Sequence, residues 1–137
     1  MGVIMTANYN GQLHCEAVHQ PSGNTLDTDA PVDNQGRGLA FSPTDLLGAS
    51  LLTCAMTTLA IKAPSKGLNI EKMSGTVEKQ MTPSAPRRVE SLTVHLRIYD
   101  PVDPQNRATV EDIARNCPVA LSLHPDIKIP ISFTYSD

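Results

Sequence analysis

The chain of 137 residues contains no tryptophan, and aromatic residues make up only 4% of it. It also has no excess of positive charge, because 11 Lys and Arg residues against 14 Asp and Glu residues give a formal net charge of −3. Proteins that bind nucleic acids normally carry clustered positive charge, so no nucleic-acid partner is expected. The length and an ordinary hydrophobic content of 40% predict a single globular domain spanning residues 1–137.

No uncharged apolar segment reaches the roughly 18 residues that a membrane span needs. The longest, residues 46–61, is interrupted by Ser50, Thr53, Thr57 and Thr58. The N-terminal segment lacks the basic region and the cleavage site of a secretory signal. We therefore expect a cytoplasmic protein with no membrane partner.

Cysteine is scarce, with Cys15, Cys54 and Cys117 as the whole set. An odd and sparse set cannot form a disulfide framework, and the sequence has none of the closely spaced Cys or His pairs typical of zinc sites. No metal and no cofactor are expected. In a reducing cytosol, a pair of cysteines is more often catalytic or simply buried than structural.

The order of the predicted elements is three strands, a helix, two strands, a helix and a strand, which indicates an α+β fold with an antiparallel sheet. Asn10-Gly11 favours a tight hairpin turn between the first two strands. In residues 89–99, alternation places Leu92, Val94, Leu96 and Ile98 on one face. The strands are predicted at residues 5–9, 13–19, 25–28, 68–82, 89–99 and 127–135, and the second helix at 103–116 with a further helical turn to 123.

The segment Ser42-Pro43-Thr44-Asp45 is a helix-start signal, with a capping serine, a first-turn proline and an acid three residues after the serine. It predicts a helix from about Pro43 to Ala63 with Cys54 near its middle. A helix that is apolar or small on nearly all sides must be covered on every side, which the strands of one small chain can hardly do. We therefore expect a homodimer.

Two cysteines placed in this way raise the question of redox chemistry. Cys117 precedes Pro118 at a predicted helix start, where the amide dipole favours an anion. Cys54 lies mid-helix and would need a side-chain cation from elsewhere, for which Arg37, between Gly36 and Gly38, is one candidate. The alternatives remain that both thiols pack as small hydrophobic groups and that Arg37 is an ordinary surface residue.

The segment Phe41-Ser42-Pro43-Thr44-Asp45-Leu46-Leu47 followed by Cys54 resembles the first signature of the OsmC/Ohr family, and Cys117-Pro118-Val119 resembles the second. The resemblance covers essentially the whole chain. It implies an OsmC-like fold, with antiparallel sheets packed on a buried central helix in an intertwined homodimer. It also implies a thiol-dependent peroxidase for organic hydroperoxides, in which Cys54 attacks the peroxide, Cys117 resolves the product and a dithiol reductant restores both.

The resemblance fails at one position, because peroxidases of this family carry a glutamate directly after the signature proline and this chain has Thr44. That glutamate pairs with the arginine that holds the thiolate. Asp45 is the next residue, but it points about 100° further round the helix. The alternative function is therefore a non-catalytic family member that binds an apolar small molecule in the dimer pocket.

Overall fold

A computed structural model describes residues 1–136, which divide into two compact units at the boundary between Leu47 and Gly48. We call them the N-terminal unit and the C-terminal unit. The N-terminal unit contains three strands, β1 (Met5–Tyr9), β2 (His14–His19) and β3 (Thr25–Asp29), which form an antiparallel sheet in the order β1-β2-β3. The α+β class with antiparallel-rich sheets is confirmed.

The sheet of the N-terminal unit has one apolar and one polar face. Ala7 pairs with Ala17, and Ala17 pairs with Leu26, so these three side chains form a row on one face. Met5 and Tyr9 share this face, and both are exposed. The opposite face carries His14, Glu16, Asp27 and Asp29.

The hairpin between β1 and β2 is longer than predicted. Asn10-Gly11 lies in the turn, but the turn extends to Leu13 and β2 begins only at His14. Gly11, Gln12 and Leu13 all have positive φ angles, of 100°, 59° and 58°. The amide of Leu13 donates to the Tyr9 hydroxyl at 3.3 Å, a contact across the turn that the Asn10-Gly11 signal does not include.

The helix α1 (Pro43–Lys62) begins where the sequence predicts. The Asp45 amide donates to Ser42 Oγ at 3.0 Å, and the Ser42 amide donates to Asp45 Oδ2 at 2.9 Å. This reciprocal pair satisfies two amides that have no partner within the helix.

The C-terminal unit contains a second sheet of three strands, β4 (Met73–Met81), β5 (Val89–Ile98) and β6 (Ile131–Tyr135), in the order β4-β5-β6. The central strand β5 pairs antiparallel with β4 and parallel with β6. The helices α2 (Arg107–Arg115) and α3 (Pro118–Ser122) lie between β5 and β6 in the chain.

Two of these strands start later than predicted. Before β4, the amides of Glu71 and Lys72 donate to the Asp100 carboxylate, both at 2.8 Å, instead of to a neighbouring strand. Before β6, Pro130 has no amide to donate.

The core of the C-terminal unit forms where α1 packs on β4 and β5. The predicted inner face of β5 is confirmed, since Leu92, Val94, Leu96 and Ile98 are fully buried. Burying side chains of this size stabilises the fold by about 1.5–3 kcal/mol each. A Cβ on Gly48 would lie 3.4 Å from Leu92, so the glycine lets the helix approach the sheet closely.

The helix α1 is buried on one side within the single chain. Leu51, Ala55 and Leu59 are fully buried, whereas Thr53 and Thr57 are exposed. By length and composition the helical segment Pro43–Lys66 is long and apolar enough to cross a membrane, which the count of apolar residues did not predict. A core helix of a soluble protein passes the same test, so this finding carries little weight for a membrane location.

Candidate active site

The first predicted site residue, Cys54, lies in the middle of α1, one turn before Thr58. Its side chain is partly buried, and that of Thr58 is 8% exposed. The Thr58 Oγ1 atom lies 3.7 Å from the Cys54 sulfur. Residues four apart on a helix share a face, which brings the hydroxyl and the thiol together.

The second predicted site residue, Cys117, is the N-cap of α3, and Pro118 is the first residue of that helix. The backbone of Cys117 is extended, with φ −68° and ψ 154°, and proline fits the first helical position because it needs no amide. The Cys117 side chain is fully buried. It lies close enough to Cys54 that each thiol shifts the pKa of the other, so the fold brings the two cysteines together.

The surroundings of the two thiols shift their pKa values in opposite directions. Burial opposes ionisation of Cys54, but hydrogen bonds from the Val119 amide, the Thr58 hydroxyl and the Cys117 thiol outweigh it and lower its pKa. Burial raises the pKa of Cys117, and the neighbouring Cys54 raises it further, against the amides of Ala120 and Val119. Cys54 is therefore the thiol that ionises first.

The prediction that the start of α3 favours the Cys117 thiolate is supported, because the amides of Ala120 and Val119 act to lower the pKa of Cys117. The prediction that Cys54 depends on a side-chain cation did not include the Val119 amide, which lowers the pKa of Cys54 as well. Sequence reasoning also missed Thr58. Its position four residues after Cys54 was a readable signal, because this spacing aligns two side chains on one helix face.

The third predicted site residue, Arg37, lies in the N-terminal unit and is held there by two contacts. Its guanidinium donates to Asp29 Oδ1 and to Gln12 Oε1, each at 3.2 Å. Gly36 allows the loop to pass close to Ala30, where a Cβ would clash with the backbone. The pairing of Arg37 with the Cys54 thiolate stays a prediction.

The carboxylate that holds Arg37 is buried, with Asp29 only 1% exposed. The His14 side chain contacts Asp29 Oδ1 through Nδ1 at 2.7 Å, and the Leu39 amide donates to Oδ2 at 3.0 Å. The hydrogen bond with His14 is the largest influence, and with those from Arg37 and Leu39 it lowers the pKa of Asp29 despite its burial. The hydrogen bonds from these partners offset the cost of removing the Asp29 charge from water.

Thr44, which occupies the glutamate position of the resemblance, lies at the start of α1. Its hydroxyl is 3.2 Å from Ser42 Oγ. Its neighbour Asp45 accepts the Ser42 amide and acts as the capping acid. The carboxylate nearest to this position in the sequence is therefore already engaged in starting the helix.

A cavity of about 790 Å³ in the C-terminal unit does not include the two cysteines. It lies between the end of α1 and α2, and its lining includes Lys62, Lys66, Asp112 and Asn116 but neither cysteine. The dimer pocket for an apolar small molecule, which the alternative function requires, stays a prediction. Among residues 1–136, no three or more His, Cys, Asp or Glu side chains are grouped as metal ligands would be.

Comparisons with known proteins point in one direction. A family model described as OsmC-like protein matches residues 36–132. A solved structure from Psychrobacter arcticus, whose name refers to osmotic stress and a detoxification response, is 39% identical with a TM-score of 0.88, covering 95% of this chain and 94% of that one. No match was found among curated proteins.

Two more distant structures share the fold. An organic hydroperoxide resistance protein OsmC from Legionella pneumophila is 20% identical with a TM-score of 0.78, covering 98% of this chain and 97% of that one. An organic hydroperoxide resistance protein from Elizabethkingia anophelis is 14% identical with a TM-score of 0.79, covering 99% and 97%. At these identities the likeness concerns the fold alone.

Proposed function

Since the chain belongs to the OsmC-like family, we propose that it is a thiol-dependent peroxidase that reduces organic hydroperoxides through Cys54 and Cys117. One observation carries the proposal. The two thiols lie near each other, and the pKa of Cys54 is lowered while that of Cys117 is raised. This arrangement supplies one nucleophile and one neutral thiol beside it, as a two-cysteine peroxidase needs.

The first step uses the Cys54 thiolate. It attacks the terminal oxygen of the hydroperoxide, the O–O bond breaks, and the alkoxide takes a proton and leaves as the alcohol. Cys54 is thereby oxidised to a sulfenic acid, and the peroxide is reduced by two electrons. A lowered pKa speeds this step at neutral pH because it raises the fraction of thiolate.

The second step uses Cys117. Its sulfur attacks the sulfenic acid of Cys54, an S–S bond forms, and the hydroxyl leaves as water with the Cys117 proton. The proximity of the two thiols in the reduced protein supports this step. A dithiol reductant then exchanges with the disulfide and returns both thiols. That recycling supports a cytoplasmic location, where such reductants are present.

The active form that we propose is a homodimer. The exposed side of α1 and the apolar face of the β1-β2-β3 sheet are surfaces that a second copy would cover. Such cover would give Cys54 an apolar setting that favours alkyl peroxides over hydrogen peroxide. Arg37 remains the proposed cationic partner of the thiolate, and Arg37→Gln should then slow peroxide consumption.

The test is peroxide consumption with cumene hydroperoxide and dithiothreitol. Cys54→Ser should reduce the rate to that of the uncatalysed reaction. Cys117→Ser should consume one equivalent and then slow, because the sulfenic acid has no resolving thiol. Cys15→Ser is the matched control and should match the wild type, and peptide mapping without reductant should find a disulfide between Cys54 and Cys117. Equal rates for the wild type and Cys54→Ser would contradict the proposal.

The alternative is a family member without peroxidase activity that binds an apolar molecule between subunits. Thr44 favours it, because a hydroxyl cannot form the ion pair that the glutamate of the family's peroxidases forms. In that case the wild-type protein would not consume cumene hydroperoxide. An apolar fluorescent probe would still bind to the dimer and would be released when the dimer dissociates.

A further inference from the structure

A thiolate in the middle of a helix needs hydrogen-bond donors aimed at its sulfur, and α1 supplies one from its own side chains. Thr58 lies one turn after Cys54 and is 8% exposed. Its hydroxyl oxygen is 3.7 Å from the Cys54 sulfur, which is within reach of a hydrogen bond to sulfur.

The orientation of Thr58 differs from that of another threonine on the same helix. The hydroxyl of Thr53 donates to the Ala49 carbonyl at 2.8 Å, the common arrangement for threonine within a helix. In the part of the chain that the structure describes, the Thr58 hydroxyl has the Cys54 sulfur as its hydrogen-bond partner. Its proton is therefore available to that sulfur.

A hydroxyl can donate to a thiolate, which has no proton of its own. Donation to the charged form favours that form, and the low polarity of a nearly buried position strengthens the interaction. The Val119 amide and the Cys117 thiol also act to lower the pKa of Cys54. Of these three donors, Thr58 alone belongs to α1, so it also fixes the side-chain direction of Cys54 relative to its own helix.

We propose that the Thr58 hydroxyl stabilises the Cys54 thiolate by donating its proton to the sulfur, and that it orients this sulfur toward Val119 and Cys117. The inference rests on the proposed function for its importance in catalysis. The ionisation of Cys54, however, can be measured whether or not the protein reduces peroxides. The two proposals can therefore fail separately.

The experiment follows alkylation of each cysteine by iodoacetamide as a function of pH in the reduced full-length protein. Trypsin cuts after Arg37, Lys62, Arg115 and Lys128, so Cys15, Cys54 and Cys117 lie on three separate peptides that mass spectrometry quantifies in one digest. The alkylation rate of the Cys54 peptide, residues 38–62, gives the titration midpoint of that thiol. The Cys15 peptide serves as the internal reference.

Removal of the hydroxyl in Thr58→Val should raise the Cys54 midpoint by about one pH unit, a tenfold loss of thiolate at a given pH below the midpoint. Thr58→Ala also lacks the hydroxyl and should raise the Cys54 midpoint too. This second variant excludes an effect caused only by the size of the valine side chain. Thr58→Ser keeps the hydroxyl and should restore the wild-type midpoint. Thr57→Val removes a hydroxyl from the preceding, exposed position of α1 and is the matched control.

An unchanged midpoint in Thr58→Val and Thr58→Ala would overturn the inference, as would an equal shift in Thr58→Ser. A shifted midpoint in a protein whose wild type does not consume peroxide would uphold this inference while the proposed function fails. Peroxidase activity together with an unchanged Cys54 midpoint in both Thr58→Val and Thr58→Ala would uphold the proposed function and overturn this inference.

Discussion

The two units of the chain bury opposite kinds of side chain. In residues 1–47, all of which the structure describes, the fully buried residues are polar, namely Asp29 and Ser42. In the C-terminal unit the buried side chains are mainly apolar, as in β5 and on the inner side of α1. Large exposed hydrophobic residues are concentrated in the N-terminal unit, including Val3, Ile4, Met5, Tyr9, Leu26, Val32, Leu39 and Phe41.

This difference shows what each unit needs in order to be stable. The C-terminal unit has a hydrophobic core of the usual kind around Leu59, Ile98 and Val110. The N-terminal unit is held within itself by backbone pairing and by the hydrogen bonds of Asp29, and its apolar face is exposed. Segments of this size rarely stand alone without further burial. The contrast supports the proposed homodimer, in which a second copy would supply that burial.

The largest effect is expected from a cavity in the core of the C-terminal unit. Leu59→Ala should lower the free energy of unfolding by about 2–5 kcal/mol, because it truncates a fully buried side chain and leaves a cavity that the surrounding side chains do not fill. Denaturant unfolding measures the change. Leu39→Ala makes the same deletion at a site 77% exposed in the N-terminal unit and should have a smaller effect. An equal loss at both sites would break the contrast between the units.

A smaller effect is expected from a charge on the apolar face of the β1-β2-β3 sheet. If a second copy covers this face, Leu26→Asp should weaken the dimer about a hundredfold, since an unpaired carboxylate would be buried there. Sedimentation across a range of protein concentrations measures the dissociation constant. Thr25→Asp places the same charge on the opposite face of the same strand and should leave the dimer intact. A Leu26→Asp protein that dimerises as tightly as the wild type would show that a second copy does not cover this face.

The smallest and most local effect is expected at Asp29. Asp29→Asn removes the charge that His14, Arg37 and Leu39 contact, so the Leu39 amide should exchange with solvent faster. Hydrogen exchange read by NMR measures this, and Asp27→Asn, whose side chain is 52% exposed, is the control. Unchanged Leu39 exchange in Asp29→Asn would show that the carboxylate does not hold the loop.

Acid should reproduce the effect of Asp29→Asn in the wild type. The pKa of Asp29 is lowered from 3.8, so its ionised form stabilises the folded state above about pH 4. That contribution is lost as the pH falls through the lowered value, and the Leu39 amide should lose its protection over the same range. The Asp29→Asn protein should lack this pH dependence at Leu39.

Much of the fold could be predicted from local patterns. The alternation in β5 placed Leu92, Val94, Leu96 and Ile98 on the buried face, and all are fully buried. The reciprocal hydrogen bonds of Ser42 and Asp45 formed as the helix-start signal predicts. These features depend on residues a few positions apart, whose geometry the helix and strand periods determine.

The site could be predicted only in part. The two cysteines were identified by resemblance, but the donors around Cys54 were not. The Val119 amide lowers the pKa of Cys54 because the start of α3 lies near this part of α1, although Val119 and Cys54 are 65 positions apart (119 − 54). Thr58 is near in sequence, and it was missed because a threonine in a helix usually bonds to a backbone carbonyl.

The sequence by itself determined the α+β class and the start of α1, and its resemblance to the OsmC/Ohr family singled out the two thiols of the proposed chemistry. Only the tertiary structure decided which thiol ionises first, because that depends on burial and on donors brought from separate elements of the chain. It also decided that β6 joins its sheet in the parallel direction. Local periodicity specifies the face that a side chain occupies, whereas the neighbours it meets there are set by packing between elements.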